Sequence, residues 1–288
     1  MKMKIMGIFI CMLVVLSVVA VAGPTKIRQI PIEATNFDDD VPTWSDGDSW
    51  TYTINNFTVD YNVSGQRMFM DGKIDDFEWT VAGTSGSTYE VDFTGKLTAD
   101  YEIYLSSSAL TLWVTGTFIP ALTRIKGTII FTKSDLEIED ISAEIKGITM
   151  AKISPIPVSL PIPFKLALDG NLSTVFPIFD FPLHALKVWA LPDINIEMNV
   201  QMGGIFGLIN IPVQFPTHYS WNPLAFWCWS KENITVEAGS FDAWRIASII
   251  GGFFEYYYAP SVGNLIKIDA TMPNGNINGE LKSTTYTP

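Results

Sequence analysis

The sequence predicts an all-β protein made of antiparallel strands, and three observations carry the prediction. First, apolar and polar residues alternate in two long stretches. In 97–106, Leu97, Ala99, Tyr101, Ile103 and Leu105 share one face, and Thr98, Asp100, Glu102, Tyr104 and Ser106 share the other. In 194–202, Ile194, Ile196, Met198, Val200 and Met202 alternate with Asn195, Glu197, Asn199 and Gln201. A period of two is the mark of a half-buried strand. Second, Gly, Asn, Asp and Ser separate many further β-prone runs at the short spacing of hairpins. Third, after the N-terminus no long segment carries a helical period.

Taken in order, the chain opens on a short basic stretch, Met1 to Lys4, followed by an uncharged apolar run from Ile5 to Ala22. Ala20-Val21-Ala22 before Gly23 supplies small residues for cleavage, so 1–22 reads as a secretory signal peptide, with an uncleaved signal anchor as the alternative. Cys11 follows Ile10 rather than a small residue, which argues against a lipidation box. Residues 23–43 are polar and irregular, with the acidic run Asp38-Asp39-Asp40, and read as a flexible tether. A single β domain is expected over 44–288. It begins at Trp44-Ser45-Asp46-Gly47-Asp48-Ser49-Trp50-Thr51-Tyr52, a turn leading into an aromatic strand.

Further strands are expected at 52–62, 67–74, 77–81, 88–93, 110–118, 127–131, 136–141, 144–148, 164–168, 244–250, 253–258 and 265–270. A Pro-rich apolar insert is expected over 153–216. Its core is Ile153-Ser154-Pro155-Ile156-Pro157-Val158-Ser159-Leu160-Pro161-Ile162-Pro163, continued by Val175-Phe176-Pro177-Ile178-Phe179-Asp180-Phe181-Pro182. Proline cannot donate to a ladder, so this stretch reads as an edge or an extended crossing that covers one sheet face or rims a pocket. One short helix is expected over 181–191, with Pro182 in its first turn and Pro192 at its end.

Composition narrows the function classes. Hydrophobic residues make up 48% of the 288 and charged residues only 17%, with a mean hydropathy of +0.23, so a sizeable core can be buried. The formal net charge of −12 becomes more negative if Lys2 and Lys4 leave with the leader. Such a chain is a poor partner for nucleic acid or anionic membrane surfaces. Membrane contact is expected only through an uncleaved leader. After residue 22 the one cysteine is Cys228, in Trp227-Cys228-Trp229, which reads as a buried structural thiol. No intrachain disulfide is then available, and stability rests on the core.

No motif assigns a reaction. His184 and His218 lie far apart, and no Cys/His cluster has zinc spacing. There is no Gly-x-Ser-x-Gly elbow, phosphate loop or dinucleotide fingerprint. Asp38-Asp39-Asp40 and Asp46-Gly47-Asp48 offer oxygen ligands for calcium without EF-hand spacing. Glu137, Glu139, Asp140 and Glu144 are carboxylates a glycosidase needs, but alternation puts several on a solvent face. No catalytic residue, metal or cofactor is assigned. Asn56, Asn62, Asn171 and Asn233 head N-x-Ser/Thr sequons, possible glycan sites in an exported chain.

Aromatics are the positive signal. Trp221, Phe226, Trp227 and Trp229 crowd nine residues, and Phe253, Phe254, Tyr256, Tyr257 and Tyr258 crowd six. In a strand such a run faces both sides of the sheet. Trp221, Phe226, Trp227, Trp229, Phe254, Tyr256, Tyr258, Phe176 and Phe179 are therefore the candidate lining of an apolar pocket. Ordinary core packing is the competing reading.

Two passages carry a resemblance. Val236-Glu237-Ala238-Gly239-Ser240-Phe241-Asp242-Ala243-Trp244-Arg245-Ile246 is followed by Tyr256-Tyr257-Tyr258-Ala259-Pro260-Ser261-Val262-Gly263-Asn264-Leu265-Ile266-Lys267-Ile268. This order is similar to the closing strands of uncharacterised exported bacterial and archaeal proteins allied to the lipoprotein-carrier (LolA/LolB-like) half-barrel superfamily. The Trp44–Tyr52 opening resembles the first strand of such proteins. The resemblance implies a curved antiparallel sheet, a half-barrel or open barrel, with an apolar concave face that the Pro-rich segment and at most one or two short helices cover. It transfers no ligand or catalytic residue, and the Pro-rich insert and missing lipobox depart from it. Three functions follow as expectations: an exported carrier of a lipid or other apolar small molecule, a structural or adhesive cell-surface protein without ligand, and a secreted carboxylate-dependent hydrolase. A continuous apolar cavity distinguishes the first from the second.

Overall fold

The computed structural model describes residues 40–63, 66–106, 111–154, 158–190, 194–195, 197–201, 213–214, 218–219, 225–248, 253–272 and 275–288. The expected leader and nearly all of the tether lie outside them. The described residues form strands and turns, with no helix among them.

The long strands come first: β1 (Ser49–Val63), β2 (Gln66–Ser85), β3 (Thr88–Ser106), β4 (Thr111–Phe118), β5 (Arg124–Thr132), β6 (Ile138–Ile153) and β7 (Ser159–Phe176). Short ones follow: β8 (Val188–Ala190), β9 (Ile194–Asn195), β10 (Glu197–Gln201), β11 (Val213–Gln214) and β12 (His218–Tyr219). The chain closes with β13 (Ala225–Val236), β14 (Gly239–Ser248), β15 (Phe253–Ala259), β16 (Asn264–Met272) and β17 (Gly275–Thr284). Fifteen of them make one antiparallel sheet, ordered β11-β10-β7-β6-β4-β3-β2-β1-β17-β16-β15-β14-β13-β8, with β5 between β3 and β6. The sheet bends into a partial ring, the curved half-barrel expected of it. β4 and β5 run in one direction along the same edge of β3, so they act as one strand broken at 119–123. The described β2–β3, β13–β14 and β15–β16 turns lie at the end of the sheet that holds Ser49, and Val63 and Ser106 lie at the other.

Several runs that read as separate strands are single ones. The 67–74 and 77–81 runs are both β2, and the polar break between them is a bulge. There the register against β3 shifts between Asp75 and Glu78, and Asp76 takes a positive φ of 48°. A bulge bends a strand and adds twist without ending it. The same holds for 88–93 and 97–105, both within β3. β17, in the middle of the sheet, carries few β-formers. Only Ile277, Gly279 and Leu281 face inward, between polar Asn278 and Glu280.

Two expectations need correction. Of the helix expected over 181–191, residues 181–190 are described and are not helical. Leu186 N donates to Cys228 O and Cys228 N to Lys187 O, and Val188–Ala190 pairs with β13. Pairing with the sheet edge takes up the donors a helix needs. The Pro-rich stretch is also not an unpaired cover in its first part. β7 pairs with β6 from Ser159 to Phe176, with Pro161 opposite Met150 and Pro163 opposite Ile148. Residues two apart aim their backbone groups at the same side, so both missing donors fall on one edge. Among the described residues β10 pairs with β7 over 165–169. The part that does cross the interior is 176–183, where Phe176, Ile178, Phe179, Phe181 and Leu183 are all buried.

The inward faces of all these strands meet in one hydrophobic cluster. Its largest fully buried side chains include Trp50, Phe57, Phe77, Trp79, Phe118, Phe131 and Tyr258. The two passages that carry the family resemblance touch. Trp44 Nε1 donates to Gly263 O at 2.9 Å, Trp50 Nε1 to Val262 O at 2.8 Å, and Tyr52 OH to Leu265 O at 3.1 Å. These seat the β15–β16 turn against the first strand. Gly263 sits there at φ +66°, and a Cβ would lie 2.6 Å from the Tyr286 ring. On the outer surface, Asp76 at the β2 bulge meets Lys96 at 2.6 Å and Lys282 of β17 at 2.9 Å.

Gly263→Val is expected to lower stability by about 2–4 kcal/mol, from left-handed backbone strain plus the steric conflict. A urea midpoint equal to that of the parent would show the turn tolerates a side chain. Hydrogen bonds from Lys96 and Lys282 hold the Asp76 carboxyl down at about 2, below its ordinary 3.8. Its contribution is therefore complete above pH ~3.8 and is lost as pH falls toward 2. Because the group is solvated, the effect is modest. Asp76→Asn should flatten the fall in melting temperature over that window while leaving the neutral-pH slope unchanged.

Candidate functional site

The nine candidate lining residues separate into three groups. Phe176, Phe179, Phe226, Phe254, Tyr256 and Tyr258 are buried on the inner face. Trp227 and Trp229 stand on the outer face of β13. Trp221 lies outside the described residues. A register shift between Cys228 and Lys231 marks a bulge beside Trp229, which the sequence pattern does not announce.

The inner group packs on itself and on the 176–183 crossing. Phe179 lies 5.0 Å from Tyr258, 6.1 Å from Tyr256 and 5.4 Å from Phe181, centroid to centroid. Phe226 lies 5.4 Å from Phe254 and 5.3 Å from Tyr256. Trp189 closes one side, 5.8 Å from Phe226, with its Nε1 donating to Pro177 O. Tyr256 OH donates to Ile178 O at 2.5 Å, so the one polar atom this ring carries is satisfied by the crossing chain. Burial pushes the Tyr256 phenol well above its ordinary range. Such offset and edge-on pairs are the packing of a protein core.

The outer face of the same strands carries a charged and aromatic cluster. Trp227 and Trp229 stack at 4.4 Å with planes 17° apart. Arg245 on β14 lies over Trp229 and holds Glu255 of β15 in a fork, Nε at 2.7 Å and Nη2 at 2.6 Å. Tyr257 OH also donates to Glu255. Glu255 is 7% exposed, so its charge depends on these partners. Burial, and then the Glu255 contact, push the Tyr257 phenol upward. Residues 245, 255 and 257 come together because β14 and β15 pair Arg245 with Tyr257 and Ala247 with Glu255.

A trough of about 690 Å³ lies on the outer face of β2, β3, β5, β6 and β7. The ladders set its lining in two rows: Thr80, Asp92, Thr128, Ser142, and Glu78, Thr94, Lys126, Glu144. Thr128 Oγ1 donates to Asp92 at 2.7 Å, and Lys165 meets Glu144 at 2.9 Å. The Lys165 contact holds the Glu144 carboxyl below its usual range, in the ionised form. Gly127 forms part of the floor. A Cβ there would lie 2.0 Å from Ser142 O and 2.3 Å from the Phe93 ring. Sequence reasoning missed this trough, because its residues are ordinary outward polar positions of four separate runs. Glu144 is the one of them already weighed as a carboxylate.

The remaining candidates fall apart in space. Asp48 accepts from Ser45 N at 2.7 Å and so closes its own turn. Asp38 and Asp39 lie outside the described residues. Among the described residues no group of three His, Cys, Asp or Glu side chains gathers as a metal site. His184 Nδ1 lies 3.1 Å from Ala185 O, its own neighbour, and the His218 side chain lies outside the described residues. Burial, Asp135 and Asp180 raise the Glu137 carboxyl. Cys228 is buried. Asn56, Asn62 and Asn233 are exposed, and Asn233 donates to Asp242 at 3.2 Å, while the Asn171 side chain lies outside the described residues. No family model, curated protein or solved structure matches the chain.

Arg245→Met should destabilise by about 2–3 kcal/mol. That is less than the ~3–5 kcal/mol of a fully buried pair, because Arg245 keeps some water. Adding Glu255→Gln should recover much of the loss, since the stranded charge is then gone. A double-mutant cycle that is strictly additive would count against this pair as the anchor of the cluster.

Proposed function

We propose that this is an exported cell-surface protein of the structural or adhesive kind, with a solidly packed curved sheet, rather than a carrier of an apolar ligand. The observation that carries the reading is the crossing segment 176–183. It lays Phe179 among Tyr256, Tyr258 and Phe181, where a carried molecule would need room. A ligand pocket is an enclosed, mostly apolar space of ~300–1,000 Å³. The hollow of that size is instead open and on the outer face, with Glu78, Asp92, Lys126 and Glu144 among its lining. Partner contact on this reading is made by outward side chains, and no catalytic residue is assigned.

Native mass spectrometry of protein purified from its source, followed by organic extraction, tests it. The expected result is the bare polypeptide with any glycans. A stoichiometric lipid in repeated preparations would restore the carrier. Phe179→Ala should cost about 3–5 kcal/mol, as removal of a packed core aromatic does. A carrier that holds its ligand at this point would tolerate the change and lose ligand instead.

A further inference from the structure

We infer that the outer face of β3, β5, β6 and β7 binds an acidic polysaccharide, a chain with a carboxylate on each sugar, along a row of four cations. This rests on the adhesive reading above and names the partner of its outward side chains. The ladders place Lys96 opposite Arg124, Arg124 opposite Lys146, and Lys146 opposite Lys165. The Lys96 side chain is 52% exposed and that of Lys165 44%, and Arg124 and Lys146 are exposed as well. Neighbouring strands lie about 4.8 Å apart, so a cation recurs at each step of that size. Lys126 stands two residues from Arg124 on the same face.

Like charges directly opposite one another on neighbouring strands cost stability. With 30 Asp and Glu against 18 Lys and Arg, this chain has carboxylates enough to break up such a row. The next row does so, reading Glu78, Thr94, Lys126, Glu144. Within the basic row only the ends are relieved, Lys96 by Asp76 and Lys165 by Glu144. Asp75, opposite Lys96, is taken by Lys73. In the middle, Arg124 Nη1 donates to the carbonyls of Pro120 and Thr123, and Lys146 acts on Glu144 only at longer range. An anionic chain lying across the strands removes the repulsion between them. The trough borders the row along Lys126 and Glu144 and offers the hydroxyls of Thr80, Thr94, Thr128 and Ser142 beside the carboxylates of Glu78 and Asp92. These suit sugar hydroxyls, and the same carboxylates repel an anionic bilayer. Nucleic acid is disfavoured because single strands stack on aromatic rings. Among the described residues the exposed tryptophans are Trp113, opposite Tyr104, and Trp229 on β13, both away from the row. Physiological salt screens charges beyond about 8 Å, so the row acts on what touches it despite the net charge of −12.

The test titrates the full chain into a fluorescently labelled oligogalacturonate and reads anisotropy at low salt. The parent should bind, and added salt should weaken the binding. Lys146→Gln should weaken it severalfold while the urea midpoint holds or rises. Lys146→Glu, which can pair with Arg124 and Lys165 across the ladders, should raise the midpoint and abolish binding. Lys152→Gln, an exposed position farther along β6 with the same change in net charge, should bind as the parent does. No binding by the parent overturns the inference. So does an equal loss in Lys152→Gln, which means attraction by charge in general, or a lower midpoint in Lys146→Glu, which means the row serves stability. Tighter binding to phosphatidylglycerol vesicles or to a single-stranded oligonucleotide also overturns it, in favour of a phosphate-bearing partner. A lipid extracted from the interior would sink the adhesive reading without altering these titrations, so the two failures are told apart.

Discussion

Two indoles and a phenol from the opening of the domain donate to the backbone of one turn near its end. Trp44, Trp50 and Tyr52 bind the carbonyls of Gly263, Val262 and Leu265, across separations of 219, 212 and 213 residues. Each bond satisfies a buried polar atom that would otherwise cost about 1–3 kcal/mol. They also fix where two half-sheets meet. β1 and β17 stand side by side in the middle of the strand order, so β1–β7 and β13–β17 meet along their ladder and at this seat. Trp44 extends the seat sideways, with Trp50 at 5.0 Å, Tyr89 at 5.3 Å and Phe131 at 5.4 Å. Strands 1, 3 and 5 and the β15–β16 turn thus share one aromatic cluster. A chain whose decisive contacts are this distant in sequence closes them late and at high entropic cost, so the cluster must be strong.

The same constraint explains the bend. A sheet of fifteen strands with one apolar face can bury that face only by curling until the face meets itself. The bulges at Asp75–Glu78 in β2 and Cys228–Lys231 in β13 supply local bend. Gly127, beneath the Phe93 ring, lets the outer surface dip where the trough lies. Curling also gathers most of the large aromatics inward and leaves charged and hydroxyl-bearing rows outward.

Much of this was legible in the residues. Period-two alternation located β3 and the β9–β10 region, and the crowded aromatics of 253–258 were read as facing both ways. Tyr256 and Tyr258 do point inward while Tyr257 joins Arg245 and Glu255 outside. Three things were not legible, for physical reasons. Asp76 looks like a turn because the residue types that start turns also relieve bulges. The 181–191 segment has helical punctuation, but its donors are claimed by Cys228 and β13, contacts some forty residues away. β17 has a weak strand pattern of its own, and it is held by neighbours on both sides rather than by propensity.

Curvature and cavity are separate properties. A barrel-like sheet leaves a hollow only when its circumference exceeds what its inward side chains fill. Here the inward positions hold Trp50, Trp79, Phe77, Phe57 and Tyr258, each fully buried, and where the strands alone would leave space the 176–183 crossing adds Phe179 and Phe181. Dense inward aromatics give a wide sheet the apolar area it needs to close on itself. Tyr256 makes the point at the scale of one atom. Its hydroxyl, the group best placed to orient a guest, is already bonded to the backbone of Ile178. The surfaces left to meet another molecule are the outer ones, with the Arg245–Glu255 cluster on one half of the sheet and the trough on the other.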